Sequence, residues 1–138
     1  MGFTEDDRRL LDGPAVAVLT TLFASGEPHS TVMWFRFADD VVRMIAPASA
    51  LKARHIANDP RVSVVVTDPE NPYAYVTVRG QASLVRDDAA ARAELRRVAA
   101  RYIGERADGY VDSLSAEPRV LIEIHATRVS GRHRHPPA

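Results

Sequence analysis

The chain is divided into short apolar segments of strand length, separated by turn residues and charges, and this division limits the folds open to it. Residues 15–22 (AVAVLTTL) are β-branched and almost continuously apolar, which is typical of a strand buried on both faces. Residues 24–27 (ASGE) form a turn before a second predicted strand at residues 28–37 (PHSTVMWFRF). The two strands therefore form a predicted hairpin.

Four further strands complete the predicted set. They are residues 41–46 (VVRMIA), 62–67 (VSVVVT), 73–85 (YAYVTVRGQASLV) and 119–129 (RVLIEIHATRV). Gly80 interrupts the longest of them and predicts a bulge or a bend at that point.

Helical patterns fall between the strands. Residues 4–11 (TEDDRRLL) begin with a capping threonine, and residues 87–103 begin with aspartate and end before Gly104. Residues 107–114 predict a further short helix. In the long helix one apolar face predicts packing on the sheet, and it consists of Leu95, Val98, Ala99, Tyr102 and Ile103.

These elements predict a mainly β fold with peripheral α-helices, a six- to seven-stranded antiparallel split β-barrel; a two-layer sandwich is the alternative. The barrel is favoured because residues 15–22, 62–67 and 73–85 are apolar on much of both faces. That pattern fits strands with one face in a barrel interior and the other against a partner subunit.

Composition excludes several classes of function. The 138 residues predict a single domain, in which residues 131–138 form a flexible tail. Cysteine is absent, which excludes disulfides, thiolate metal sites and cysteine nucleophiles and fits a reducing cytoplasm. Eighteen basic and eighteen acidic residues cancel, so no global field indicates nucleic acid or an anionic membrane. We find neither a bilayer-spanning segment nor a signal-peptide pattern, and we expect a cytoplasmic protein.

Residues 46–60 (APASALKARHIANDP) are the segment most suggestive of ligand binding. They contain Lys52, the only lysine of the chain, in a loop that leads into a short helix. Ser49 is the predicted N-cap, which places Lys52 at the third helical position. A cation in a first helical turn opposes the helix dipole unless an anion lies between them. The segment therefore predicts a phosphate-binding turn.

A series of blocks in the same order and spacing resembles the flavin-reductase-like split β-barrel family. This is the pyridoxamine 5′-phosphate oxidase-like group, and the similarity is greatest to its actinobacterial branch that uses coenzyme F420. The blocks are residues 13–22, 25–29 (SGEPH), 33–35 (MWF), 52–56 (KARHI), 59–63 (DPRVS), 75–76 and 80–82. Relatives commonly carry asparagine where this chain has His55, and some carry an extra arginine in a longer loop before Lys52.

The resemblance implies a homodimer of split barrels with two cofactor sites at the subunit interface, each lined by both chains. Lys52 and Arg54 would hold the cofactor phosphate. The other implied cofactor-binding residues are Met33 and Trp34 beside the ring system, Ala46, Pro47 and Ser49 through backbone groups, and Tyr73 near the ring or tail.

The chemistry that the resemblance implies is hydride transfer between F420 and an unsaturated small molecule, with no catalytic side chain identified. The sequence shows no nucleophile and base pair, no glycine-rich phosphate loop and no metal-ligand cluster. FMN is the alternative cofactor, in an oxidase or reductase of the same fold. A non-catalytic protein that binds a flavin, F420 or haem is the alternative from another class.

Each candidate residue also has a plainer interpretation. Lys52 and Arg54 can be solvated charges, Trp34 can belong to dimer packing, and Tyr73 can be a loop aromatic. His133 and His135 form an H-x-H pattern of the kind that binds metals, but without a third ligand nearby a polar tail is the preferred interpretation.

Overall fold

The computed structural model describes residues 2–133. Its helices are α1 (Glu5–Asp12), α2 (Leu51–Asn58), α3 (Asp88–Ile103) and α4 (Ala107–Asp112), with a 3-10 turn at Gly104–Arg106. Its strands are β1 (Ala17–Leu22), β2 (Pro28–Met33), β3 (Arg36–Ala38), β4 (Val41–Pro47), β5 (Arg61–Thr67), β6 (Tyr75–Val85) and β7 (Arg119–Arg132).

The seven strands form one antiparallel sheet in the order β2-β1-β5-β6-β7-β4-β3. Alternate residues of β1, β4, β5 and β6 face a shared apolar interior, so the curled sheet encloses the main core. This is the predicted mainly β split barrel with peripheral helices, and the fold class is confirmed. Fully buried members of the core include Leu19, Phe35, Met44, Val64, Val78 and Ile122.

The predicted strand at residues 28–37 is two strands, because the chain leaves the sheet at Trp34 and Phe35. β2 pairs only with β1 and β3 only with β4, so these two residues cross the gap between the two edges of the sheet. Phe35 is fully buried in the core, whereas Trp34 lies on the outer side against α3. The two adjacent aromatic side chains therefore face opposite sides of the sheet.

The end of α3 holds this crossing segment in place. The Tyr102 hydroxyl donates to the Ala15 carbonyl at 2.7 Å and accepts from the Phe35 N–H at 3.2 Å. The Arg101 guanidinium donates to the backbone carbonyls of Phe35, Leu11 and Gly13. These backbone N–H and carbonyl groups have no partner in a neighbouring strand, and the two side chains satisfy their hydrogen bonds. Side chains of a helix therefore close the gap in the barrel.

We expect Tyr102→Phe to lower the free energy of unfolding by about 1–3 kcal/mol, because the Phe35 N–H and the Ala15 carbonyl lose their partner. Urea unfolding measures the change. Tyr110→Phe is the matched control, since the Tyr110 side chain is exposed and its hydroxyl has no hydrogen bond among the described residues. Equal stability of the two variants would contradict this role of Tyr102.

Both ends of the chain differ in part from the sequence prediction. α1 has the predicted Thr4 cap, in a capping box with Asp7. The tail predicted for residues 131–138 is wrong at its start, because β7 continues to Arg132 and the Nε2 atom of His133 lies 2.7 Å from the Asp7 carboxylate. His135 lies outside the described residues. Within residues 2–133 no group of three potential metal ligands comes together.

The helices α3 and α4 and the bulge at Gly80 in β6 follow the sequence closely. α3 begins after its Asp87 cap and ends at Gly104, as predicted, and α4 occupies the predicted position. The β6–β7 pairing shifts register between Arg79 and Gly80, which confirms the predicted bulge. No helix of the described chain combines the length and apolarity that crossing a bilayer requires.

Candidate cofactor-binding site

The start of α2 carries backbone donors without a side-chain acceptor. The N-cap is Ala50 and not the predicted Ser49, so no side chain caps the helix. The Ser49 hydroxyl donates instead to the Glu117 carboxylate. The first turn contains no acidic residue, and the N–H groups of Leu51 and Lys52 have no acceptor among residues 2–133. This end of α2 is suited to an external anion.

Lys52 is the second residue of α2 and is half-buried. Its ammonium group forms no ion pair or hydrogen bond with the described residues, and burial lowers the pKa of Lys52 below its ordinary value. A half-buried cation without a partner destabilises the folded protein, because desolvation disfavours the charged form and no nearby anion offsets that loss. A bound anion at this position would remove that penalty.

Nearby carboxylates are already engaged. Glu117 accepts the Ser49 hydroxyl, and Asp59 at the end of α2 forms an ion pair with Arg61 at 2.7 Å. Both carboxylates therefore already have a partner, and neither forms an ion pair with Lys52 or Arg54 in the described structure. Arg54 is exposed and likewise has no partner among the described residues. The two cations of the α2 helix are therefore available to a ligand.

Behind this surface lies a buried histidine. His55 is 6 % exposed, and its Nδ1 atom lies 2.8 Å from the Thr21 hydroxyl of β1. The Nε2 atom is buried and has no hydrogen-bond partner in the described part of the chain, which costs about 1–3 kcal/mol. The imidazole packs at 4.2 Å from the Phe23 ring and 5.5 Å from the His29 ring, both centroid to centroid.

The pKa of His55 lies below its ordinary value of 6.5, first because burial disfavours the cation and then because His29 and Arg54 are close. Below about pH 6.5 the unfolded chain binds a proton that the folded chain excludes. We therefore expect the stability conferred by neutral His55 to be complete above pH 6.5 and to fall as the pH drops, by at most about 1.4 kcal/mol per pH unit.

Urea unfolding at a series of pH values measures this effect as the difference between the parent protein and His55→Asn, a polar side chain that does not titrate in this range. The difference isolates His55 from the other titrating groups. A difference that does not change between about pH 8 and pH 5 would contradict the buried neutral state.

Met33 and Trp34 lie in a separate cavity of about 270 Å³ between β2, β4 and the helices α3 and α4. Trp34 stacks on Tyr102, with centroids 4.9 Å apart and planes 5° from parallel, and the Tyr110 ring lies 5.6 Å away. The remaining walls are apolar and are formed by Val32, Ile45, Leu95 and Val98.

The predicted site residues therefore fall into separate groups within one chain. Ala46 faces the core at 2 % exposure, and Pro47 ends β4 next to the start of α2. Tyr73 is 69 % exposed in the loop between β5 and β6. Sequence reasoning missed Thr21, His29 and the unpaired Nε2 atom of His55. The signals were a polar residue on the inward face of β1 and a histidine where the family resemblance implies asparagine.

Comparisons with known proteins agree with the fold. The family model described as pyridoxamine 5′-phosphate oxidase matches residues 3–133. The solved structure of an F420 reductase is 28 % identical, with a TM-score of 0.67, and the alignment covers 94 % of this chain and 97 % of that one. No curated protein matches the sequence.

Two further solved structures show the same architecture. The conserved hypothetical protein Rv2991 from Mycobacterium tuberculosis is 25 % identical, with a TM-score of 0.77 over 99 % of this chain and 92 % of that one. General Stress Protein 26 from Bacillus anthracis is 22 % identical, with a TM-score of 0.66 over 90 % and 88 % of the two chains, and supports the fold alone.

Proposed function

Because the chain belongs to the pyridoxamine 5′-phosphate oxidase family, we propose that it is an oxidoreductase that binds a flavin-type cofactor through Lys52 and the start of α2. The observation that carries the proposal is the half-buried, unpaired Lys52 on a helix start without a cap. A cofactor phosphate supplies the anion that this turn lacks. The absence of cysteine is compatible with a cytoplasmic enzyme.

The residues present fit such a group. The Lys52 ammonium would pair with the phosphate, the N–H groups of Leu51 and Lys52 would donate to it, and Arg54 adds a second positive charge in the same turn. The backbone of Ala46, Pro47 and Ser49 leads directly into this turn. The cofactor ring supplies hydride transfer when bound, and the protein supplies position and shielding.

We propose coenzyme F420 as the cofactor and an unsaturated small molecule as its partner in the reaction. Similarity over nearly the whole chain to a protein titled F420 reductase supports this choice. The cavity lined by Met33 and Trp34 offers apolar and aromatic walls for a planar group. FMN in the same site is the nearest alternative, and a non-catalytic carrier of the same ligand is the other.

We further propose that the active form is a homodimer, with Tyr73 and the Trp34 cavity completed by the partner chain. The supporting observation is an apolar stripe on the outer face of the sheet. Val32 is 68 % exposed and is paired with Val18 at 38 %, and Val18 is paired in turn with Val65. This row of three valines across three strands, of which Val32 and Val18 are exposed and Val65 is half-buried, is typical of a subunit interface.

Turnover of reduced F420 under anaerobic conditions, with a panel of enones, quinones and tetrapyrroles, tests the proposed reaction. We expect oxidation of the cofactor with at least one substrate class. If the purified protein is yellow and shows flavin absorbance, FMN and not F420 is the cofactor. Tight F420 binding without any turnover would indicate the carrier, and sedimentation of the purified protein tests the dimer.

A further inference from the structure

A cavity of about 480 Å³ lies between α1 and the loop that joins β5 to β6, and none of the residues assigned to the cofactor lines it. Its apolar walls are formed by Leu10, Pro14, Ala15 and Ala74. The polar part of the lining comes from one face of α1, from the start of the β5–β6 loop and from His133, which follows β7. The volume and the mixed lining suit a small organic molecule.

His133 is held in this cavity by a buried carboxylate behind it. The Nε2 atom of His133 lies 2.7 Å from the carboxylate of Asp7, which is 3 % exposed and does not itself line the cavity. Burial raises the pKa of Asp7, but hydrogen bonds from His133 and Thr4 outweigh burial, so this pKa lies below its ordinary value. Asp7 is therefore an ionised acceptor, and the imidazole donates its Nε2–H to it.

The other imidazole nitrogen is left with a free lone pair. When Nε2 carries the hydrogen, the Nδ1 atom of a neutral imidazole is a hydrogen-bond acceptor. The Nδ1 atom of His133 has no hydrogen bond to residues 2–133, and the side chain is partly exposed. The buried Asp7 thus fixes both the tautomer and the orientation of an acceptor at the wall of the cavity.

The charges around this acceptor favour a cation. Asp68 and Glu70 of the β5–β6 loop line the cavity, and their carboxylates form no ion pair with residues 2–133. Of the described lining residues only Arg9 carries a permanent positive charge, and it is already paired with Asp6 at 2.8 Å. An anion would be repelled by the two unpaired carboxylates, whereas an ammonium group would be attracted to them.

We propose that this cavity binds a small organic ammonium ion. The ammonium group donates a hydrogen bond to the Nδ1 atom of His133 and lies close to the carboxylates of Asp68 and Glu70. The apolar part of the ligand rests on Leu10 and Pro14. This is a binding function in addition to the proposed oxidoreductase activity, and it uses a different part of the chain.

Nuclear magnetic resonance of isotope-labelled full-length protein tests the proposal. Benzylammonium is titrated at about pH 8, above the ordinary pKa of imidazole. Benzyl alcohol and benzoate carry the same ring on a neutral and a negative group and are the matched controls. We expect benzylammonium to move the imidazole resonances of His133 and the amide resonance of Ala74 with saturation. Benzyl alcohol should bind at least about fivefold more weakly, because its hydrogen bonds are not charge-assisted, and benzoate should not bind.

Three variants locate the binding, with the amide resonance of Ala74 as the measure of affinity. His133→Phe removes the acceptor and should weaken benzylammonium about tenfold or more. Asp68→Asn keeps the oxygen that accepts the Glu70 N–H but removes the charge, and should weaken the ligand about threefold. Glu105→Gln removes an exposed carboxylate outside the cavity and should leave the affinity unchanged.

Three results would overturn the proposal. They are the absence of saturable benzylammonium binding, equal binding of benzyl alcohol, and an affinity in His133→Phe or in Asp68→Asn equal to that of the parent protein. Lys52→Ala should leave benzylammonium binding unchanged, because Lys52 does not line this cavity. Failure of this site and failure of the proposed cofactor site are therefore distinguishable.

Discussion

Gly80→Ala is expected to destabilise the protein by roughly 4 kcal/mol or more, which is enough to unfold many domains of this size. A methyl group at Gly80 would overlap the carbonyl oxygen of His125, and it would lie 2.9 Å from the His125 carbonyl carbon and 3.1 Å from the Ala126 Cα. These atoms belong to the backbone of β7, so no side chain can rotate away. Glycine is required here by the close approach of the two strands at the bulge.

Circular dichroism and urea unfolding measure the effect of Gly80→Ala. The matched control is Gly109→Ala, because a methyl group at Gly109 in α4 has no atom within 4 Å. The control should be neutral or stabilising by about 0.5–1 kcal/mol. A Gly80→Ala protein with the stability of its parent would show that the β6–β7 bulge does not have the described geometry.

Lys52→Ala is expected to weaken cofactor binding by roughly tenfold to a hundredfold. The substitution removes a charged donor to the phosphate, and such hydrogen bonds contribute about 1.5–3 kcal/mol. It should leave the fold intact or slightly more stable, since the half-buried ammonium has no partner to lose in the free protein. Fluorescence titration with F420 measures the affinity, and unfolding experiments measure the stability.

Two variants control this prediction. Lys52→Arg keeps the charge and should retain most of the affinity, and Arg86→Gln removes a charge elsewhere and should retain all of it. A Lys52→Ala protein that binds F420 as tightly as its parent would contradict the role of Lys52.

Much of the fold could be predicted because its signals are local. The Asp87 cap and Gly104 mark both ends of α3, and Gly80 marks the bulge, since each acts through the backbone of its immediate neighbours. The split of β2 from β3 was missed because it depends on Arg101 and Tyr102, which bind the crossing segment from 66 and 67 residues away along the chain. Contacts between residues so far apart along the chain leave no periodic pattern in the sequence.

The residues of the candidate site could be predicted from the sequence, but their positions relative to one another could not. Lys52 stood out as a unique lysine, and the expected cation in a first helical turn is present. Ser49 did not become the cap, because Glu117, far along the chain, accepts its hydroxyl. The helix geometry then places Arg54 in a cleft with His55, on a face that Lys52 does not share. A spacing of two residues already separates these positions by about 200° around a regular helix. The packed structure adds that Arg54 lies beside His55.

Titration of F420 into the purified protein, followed by the fluorescence of the deazaflavin, tests directly whether Lys52 and the start of α2 bind the cofactor. We predict saturable binding that inorganic phosphate weakens by competition and that Lys52→Ala reduces by at least about tenfold. Absence of saturable F420 binding, or binding that does not depend on Lys52, would contradict the account.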